Sequence, residues 1–294
     1  VTPFDVRGIV VPLTTPFDAA GEIDRPAFVR QVEWMLDEGV DGLVVGGSTG
    51  EGFALDEREV LDLSALALDI TAGRVPVMTS IMADSSRAAT QRARLLSELP
   101  LAGLQVAPPH YIFAPDDDGM VSFYADVAAA THLPIVVYNV IAWAQIRPDL
   151  AARIMTSVPS VRAVKQSDKD LGGFADLVRL VGAERVFGAI DGSLMSCYDL
   201  QVAGSIAAIA SAAPGANVKL WRSVKEGDRS RALAINAALC ELWSHLSAKN
   251  LPARVKVAQS VQGIPSGHPR APMAGVLRSE KEAIRTAVRT LEAL

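Results

Sequence analysis

Residues 134–165 read PIVVYNVIAWAQIRPDLAARIMTSVPSVRAVK, and three pieces of that stretch carry three different patterns. Pro134–Tyr138 and Val161–Lys165 are short apolar runs that do not alternate with polar residues, as expected of parallel strands covered on both faces. Between them, Pro148–Ser157 opens on a proline and repeats its apolar positions at helical spacing, a favourable way to begin and sustain a helix. The unit is strand, helix, strand, and both strands end on a functional group. Lys165 places an amine at the carboxyl end of a buried run, where desolvation disfavours the ammonium and leaves a nitrogen able to attack a ketone and form a Schiff base. Tyr138 places a phenol at the equivalent point one strand earlier, within reach for proton relay.

The same unit recurs outward in both directions. Eight runs have the required character: Gly8–Thr14, Gly42–Val45, Val75–Ile81, Gly103–Ala107, Pro134–Tyr138, Val161–Lys165, Val186–Ala189 and Gly204–Ala208. Amphipathic stretches at Arg25–Glu38, Asp56–Thr71, Ser86–Ser97, Gly119–Thr131, Pro148–Ser157 and Phe174–Gly182 separate them, most with a polar or proline start suited to a helix amino end. Eight βα units favour an α/β protein of the (β/α)8 TIM-barrel class over an open sheet. Residues 1–213 are expected to form this barrel domain. Residues 214–294, with helical patterns at Ser230–Ser247 and Ser279–Leu294 around the Pro- and Gly-bearing 263–272 segment, are expected to form a helical extension packed on it.

Composition narrows the partners. The chain has 294 residues, half of them hydrophobic, enough for a sizeable core, and its formal net charge of −5 comes without a basic stripe. Nucleic acid is therefore not an expected partner. Cys197 and Cys240, the only cysteines, have no metal-spaced companions and read as reduced thiols. His110, His132, His245 and His268 are scattered without ligand spacing, so no metal is expected. No run approaches the length of a membrane span, and the start Val1-Thr2-Pro3-Phe4-Asp5 lacks the segments of a signal peptide, so the expected setting is cytoplasmic, without membrane contact.

Barrel enzymes work at the carboxyl ends of their strands, which selects the candidate site residues. Thr14 and Thr15 follow strand 1, Gly46-Gly47-Ser48-Thr49-Gly50-Glu51 strand 2, Pro108-Pro109-His110-Tyr111 strand 4 and Asp191-Gly192-Ser193 strand 7, while Ala208 ends run 8. The glycine-rich loop lacks the lysine of a nucleotide-binding loop, yet its backbone N–H groups and two hydroxyls suit a small carboxylate. Alone, it reads equally well as a helix-capping turn. Asp191 can contact substrate hydroxyls or cap the next helix.

In Gly47-Ser48-Thr49-Gly50-Glu51, Tyr138-Asn139-Val140 and Val164-Lys165-Gln166-Ser167, in that order at strand ends 2, 5 and 6, the chain resembles the pyruvate-dependent class I aldolase family that includes dihydrodipicolinate synthase and N-acetylneuraminate lyase. The resemblance implies a Schiff-base lysine at Lys165, a proton-transferring Tyr138 and a 2-oxo-acid carboxylate cradle at Ser48 and Thr49, flanked by Gly47 and Gly50. It further implies that Tyr111 reaches a neighbouring subunit's site and joins Ser48 and Tyr138 in a hydroxyl chain, in a homotetramer. No cofactor beyond the covalent imine is expected.

Two departures narrow the substrate. Where the synthase has a proline and then an arginine that binds the second substrate's carboxylate, this chain reads Ile141-Ala142-Trp143, so dihydrodipicolinate synthesis is not expected and Trp143 is a candidate contact for an apolar acceptor. Gln166-Ser167-Asp168-Lys169-Asp170-Leu171 and Asp191 look closer to the lyase, yet Gly192 stands where the lyase pattern has an acid. The expectation is reversible aldol cleavage or condensation of pyruvate, or a related 2-oxo acid, with an unassigned aldehyde. Dehydration of a 2-oxo sugar acid is the close chemical alternative. A metal- or phosphate-dependent barrel enzyme and a catalytically silent 2-oxo-acid-binding barrel are the readings from other classes.

Overall fold

Each strand pairs in parallel with the one before it, and the eighth returns to the first, closing the ring in sequence order. In a computed structural model that describes residues 4–294, these strands are β1 (Gly8–Pro12), β2 (Gly42–Val45), β3 (Val77–Ile81), β4 (Gly103–Val106), β5 (Ile135–Asn139), β6 (Val161–Gln166), β7 (Val186–Gly188) and β8 (Gly204–Ser205). Val1, Thr2 and Pro3, which open the stretch read above for an export signal, lie outside the described residues. The helices are α1 (Arg25–Asp37), α2 (Glu57–Thr71), α3 (Ser86–Leu96), α4 (Asp117–Ala129), α5 (Pro148–Ser157), α6 (Leu171–Val181), α7 (Leu194–Asp199), α8 (Ala208–Ala212), α9 (Pro214–Glu226), α10 (Arg229–Leu246), α11 (Leu251–Val261) and α12 (Arg278–Glu292). Among the described residues, no helix is long and apolar enough to cross a membrane. The (β/α)8 barrel expected from the sequence is the observed architecture.

Local chemistry fixes the helix starts. The side chains of Asp24, Ser85, Asp116 and Asp170 accept backbone N–H groups in the first turns of α1, α3, α4 and α6, satisfying donors that the helix itself leaves unpaired. Asp56 and Glu59 form a reciprocal capping box on α2. Several expected strands end earlier than their apolar runs: β1 stops at Pro12 and β8 at Ser205, although Leu13 and Ile206 beyond them each still donate one backbone N–H to the neighbouring strand, at 2.9 and 3.0 Å. Ala208, expected in strand 8, begins α8 instead.

Within each strand, alternate residues face opposite layers. Val10, Val44, Met78, Val136, Ala163 and Phe187 share the small cluster inside the ring, whereas their strand neighbours Val11, Leu43, Val77, Val137 and Val164 belong to the larger layer against the helices. The inward parity of Val136 and Ala163 therefore passes to Tyr138 and Lys165, two residues nearer the mouth.

Packing continues across residue 213. Helix α9 lies against β1, α7 and α8 as well as α10, while α11 contacts α8 and α12. The C-terminal segment reaches the β2 loop through a buried ion pair. Lys256 of α11 places Nζ 2.5 Å from Glu51 Oε1 and also donates to the His268 carbonyl at 2.7 Å, with 2% and 0% of the lysine and glutamate side chains exposed. The Arg270 N–H donates to the other Glu51 oxygen at 2.9 Å, and its guanidinium binds both oxygens of Glu59 at 2.8 and 2.5 Å. Burial pulls the Lys256 ammonium below its ordinary range, opposed by Glu51. Glu51 holds a left-handed φ of 54°, a conformation that costs a residue with a β-carbon about 1–2 kcal/mol. The ion pair holds it there.

Removing one member of such a pair strands a buried charge. Lys256→Met is expected to destabilise the protein by ~3–5 kcal/mol. Adding Glu51→Leu to that variant should recover a substantial part of the loss. Denaturant midpoints of the single and double variants measure both, and a single variant as stable as the wild type would show that the pair contributes nothing.

Candidate active site

Strands β5 and β6 pair with Tyr138 directly opposite Lys165. Because paired residues of neighbouring strands share a face, phenol and amine emerge side by side into the mouth. Lys165 Nζ lies 4.1 Å from the centroid of the Tyr138 ring, close enough for the ring face to stabilise positive charge developing on that nitrogen. Both residues are almost fully enclosed, at 4% and 2% exposed, yet both line one cavity of about 450 Å³. The amine is thus sheltered from bulk water and open to a ligand.

The loop after β2 completes the polar end of the cavity. Tyr138 donates its hydroxyl hydrogen to Ser48 Oγ at 2.9 Å and accepts the Ser48 N–H at 3.3 Å. Ser48 Oγ then lies 3.8 Å from the Met82 sulfur. Ser48 and Thr49 line the cavity, but Gly47 and Gly50 do not. A β-carbon at Gly50 would sit 2.6 Å from the Leu13 carbonyl oxygen, and Thr15 donates to the Gly50 carbonyl at 2.7 Å. The expected ligand contact at Gly50 is instead a backbone crossing that only glycine permits. Gly47 sits above Ser80, Gln105 and the Tyr138 hydroxyl, shaping the loop without facing the cavity. Thr14 is also occupied structurally, accepting from Gln31 at 2.6 Å and donating to Gln259 at 3.0 Å.

Across the cavity, Asp191 Oδ1 accepts the Ile209 N–H at 2.7 Å. Burial pushes its carboxyl up to about 6, against the lowering effects of that hydrogen bond and of the charge on Lys165. Ala208 lines the same wall, as expected. Asp191 does not cap the next helix, since α7 has no side-chain cap; it instead satisfies a first-turn N–H of α8, from a position that still borders the cavity.

Tyr111 and Trp143 do not line this chain's own cavity. Tyr111 stands 72% exposed on the loop after β4, outside the cavity lining, so within one chain the hydroxyl chain contains Tyr138 and Ser48 alone. Trp143 is 71% exposed and donates its indole N–H to the His110 carbonyl at 2.7 Å. It ties the loop after β5 to the loop after β4 and does not reach the cavity. Asp84 strengthens that rim by accepting the N–H groups of His110 and Tyr111, each at 2.9 Å.

Sequence reasoning missed part of the lining. Ser167, Lys169, Trp243 and Leu251 all border the cavity, beside Ser193 of the expected strand 7 group. Lys169 lay inside a quoted segment, only four residues beyond Lys165, and its strand-end position was the available signal. Trp243 had none, since it arrives from α10. A β-carbon at Gly192 would lie 3.1 Å from the Trp243 ring, so the missing acid at 192 makes room for this indole. Ser80 and Gln105, bonded at 2.9 Å, form the inward polar layer beneath Gly47.

Comparison with known proteins agrees with this geometry. The sequence profile of the Dihydrodipicolinate synthetase family matches residues 5–291. The 4-hydroxy-tetrahydrodipicolinate synthase of Thermomicrobium roseum is 32% identical over 286 residues, covering 96% of this chain and 94% of the relative. The dihydrodipicolinate synthase structure from Thermotoga maritima superposes with a TM-score of 0.92 at 26% identity, covering 98% of this chain and 99% of that one. A monomeric dihydrodipicolinate synthase variant also gives 0.92 at 26% identity, covering 98% and 97%. The chain belongs to the dihydrodipicolinate synthetase family and is a carbon–carbon lyase of the class I aldolase type, working through a Schiff-base lysine.

Proposed function

We propose that Lys165 forms the Schiff base, with pyruvate or a related 2-oxo acid as donor and an aldehyde as the second partner. The reading rests above all on the register that sets Tyr138 beside Lys165 and joins the phenol to Ser48. In the cleavage direction the neutral amine adds to the keto carbon of the aldol, and the carbinolamine, protonated on its hydroxyl, loses water to leave a cationic iminium. When the carbon–carbon bond breaks, its electron pair flows toward that iminium, giving an enamine and the aldehyde. Protonation of the enamine carbon and hydrolysis return the 2-oxo acid and free Lys165. Tyr138 moves the protons of these steps, with Ser48 holding its hydroxyl in place. Thr49 and the backbone of its loop hold the donor carboxylate. Asp191, facing the same nitrogen, balances the iminium charge.

Dihydrodipicolinate synthesis is not the proposed reaction, although the T. roseum relative bears that activity's name. The loop after β5 contributes Val140 to the cavity, and its Arg147 is held by Asp117 and Asp149 at 2.9 and 3.3 Å on the exposed face. No guanidinium from that loop is free to clamp an acceptor carboxylate. The role of Tyr111 in a neighbouring subunit of a homotetramer is likewise a proposal, supported by the exposure of Tyr111, Ile112 and Phe113 together on one loop.

Borohydride reduction in the presence of pyruvate is expected to add a stable adduct that peptide mapping assigns to Lys165. Lys165→Ala should abolish it, and an adduct surviving that change would move the nucleophile elsewhere. Tyr138→Phe should still be trapped while turnover slows by ~10²–10⁴; near-normal turnover would reduce the phenol to packing. For Asp191, the carboxyl is protonated below about 6 and charged above it. Activity should therefore rise as pH passes upward through this region. In Asp191→Asn that inflection should vanish from the kcat/KM profile, and its persistence would assign it to another group.

A further inference from the structure

The cavity is far from uniform in charge. Ser48, Tyr138 and Lys165 stand together where the donor acid is proposed to sit, while Lys169 supplies a second cation to the lining. Lys169 is exposed on the loop between β6 and α6. The carboxylates flanking it in sequence are engaged with backbone: Asp170 accepts the Gly172 N–H at 2.9 Å as the α6 cap, and Asp168 accepts the Asp170 N–H at 3.3 Å. Among the described residues, Lys169 forms no salt bridge within 4.0 Å. Arg147, the arginine of the neighbouring β5 loop, is held outside the cavity by Asp117 and Asp149.

A lysine left without a partner at the edge of a ligand cavity, close in sequence to the reacting lysine, is suited to a negative charge carried by the ligand. The apolar sides of Trp243 and Leu251 lie in the same lining and suit the carbon chain between the two ends. Resting on the Schiff-base reading above, we infer that the aldehyde partner carries an anionic end group, carboxylate or phosphate, and that Lys169 binds it. The cation thus comes from the loop after β6. As a point charge, a lysine places no demand on the shape of the anion, unlike a forked guanidinium.

The test compares aldehydes in condensation with pyruvate. Succinic semialdehyde carries a carboxylate and butyraldehyde is its neutral counterpart; glyceraldehyde 3-phosphate carries a phosphate and glyceraldehyde is its neutral counterpart. The wild type is expected to favour at least one anionic aldehyde by about tenfold in kcat/KM, with the pair that shows it identifying carboxylate or phosphate. Lys169→Gln should collapse that ratio and Lys169→Arg should retain most of it. Raising the ionic strength from ~0.05 to ~0.5 M should shrink the preference in the wild type, as screening of an exposed charge requires. Equal or better use of the neutral aldehydes, or a ratio that survives Lys169→Gln, would overturn the assignment. Borohydride trapping of pyruvate on the wild type separates the two levels: no adduct sinks the Schiff-base reading and this inference together, whereas an adduct with an unshifted ratio sinks this inference alone.

Discussion

The site depends on a constraint of parity. In a closed barrel each strand offers every second residue to the interior, and the register between neighbours decides which of those residues meet. Here β5 and β6 are aligned so that Tyr138 faces Lys165. A one-residue slip in either strand would send one partner into the helix layer. The apolar residues deeper in the ring, Val136 and Ala163 among them, hold that alignment because reversing it would expose them to the wrong layer. Catalytic geometry and core packing are the same fact seen at two heights in the barrel.

That coupling explains what could be read from the sequence. The buried runs ending in Tyr138 and Lys165 announced both the barrel and the pairing of phenol and amine at its mouth, since strand position determines where such groups emerge. Asp191 and Ala208 were legible for the same reason. Trp143 was not, because it sits on a loop whose course depends on hydrogen bonds to another loop, Trp143 to His110 and His110 to Asp84. The lining by Trp243 was beyond reach of local patterns: Trp243 itself lies more than fifty residues past the end of the seventh strand. At Gly50 the glycine answers to backbone crowding against Leu13, a tertiary contact that a glycine-rich motif does not reveal.

The C-terminal helices do more than cover the barrel. Lys256 and Gln259 on α11 send their polar ends to Glu51 and Thr14 respectively, so segments following β1 and β2 are secured by a helix remote in sequence. Gln259 also donates to the Ser211 carbonyl at 2.9 Å, and Ser211 donates to Pro12 at 2.5 Å. Buried polar chains of this kind favour one arrangement over its neighbours, because every alternative leaves donors or acceptors unpaired.

The Glu51–Lys256 tether also sets an order of events during synthesis. The ribosome delivers the hydroxyl-bearing loop some two hundred residues before the helix that fixes its left-handed corner. All eight strands therefore leave the ribosome before the ammonium that Glu51 pairs with. A polypeptide interrupted before α11 would leave the Glu51 carboxylate without the ammonium that neutralises it.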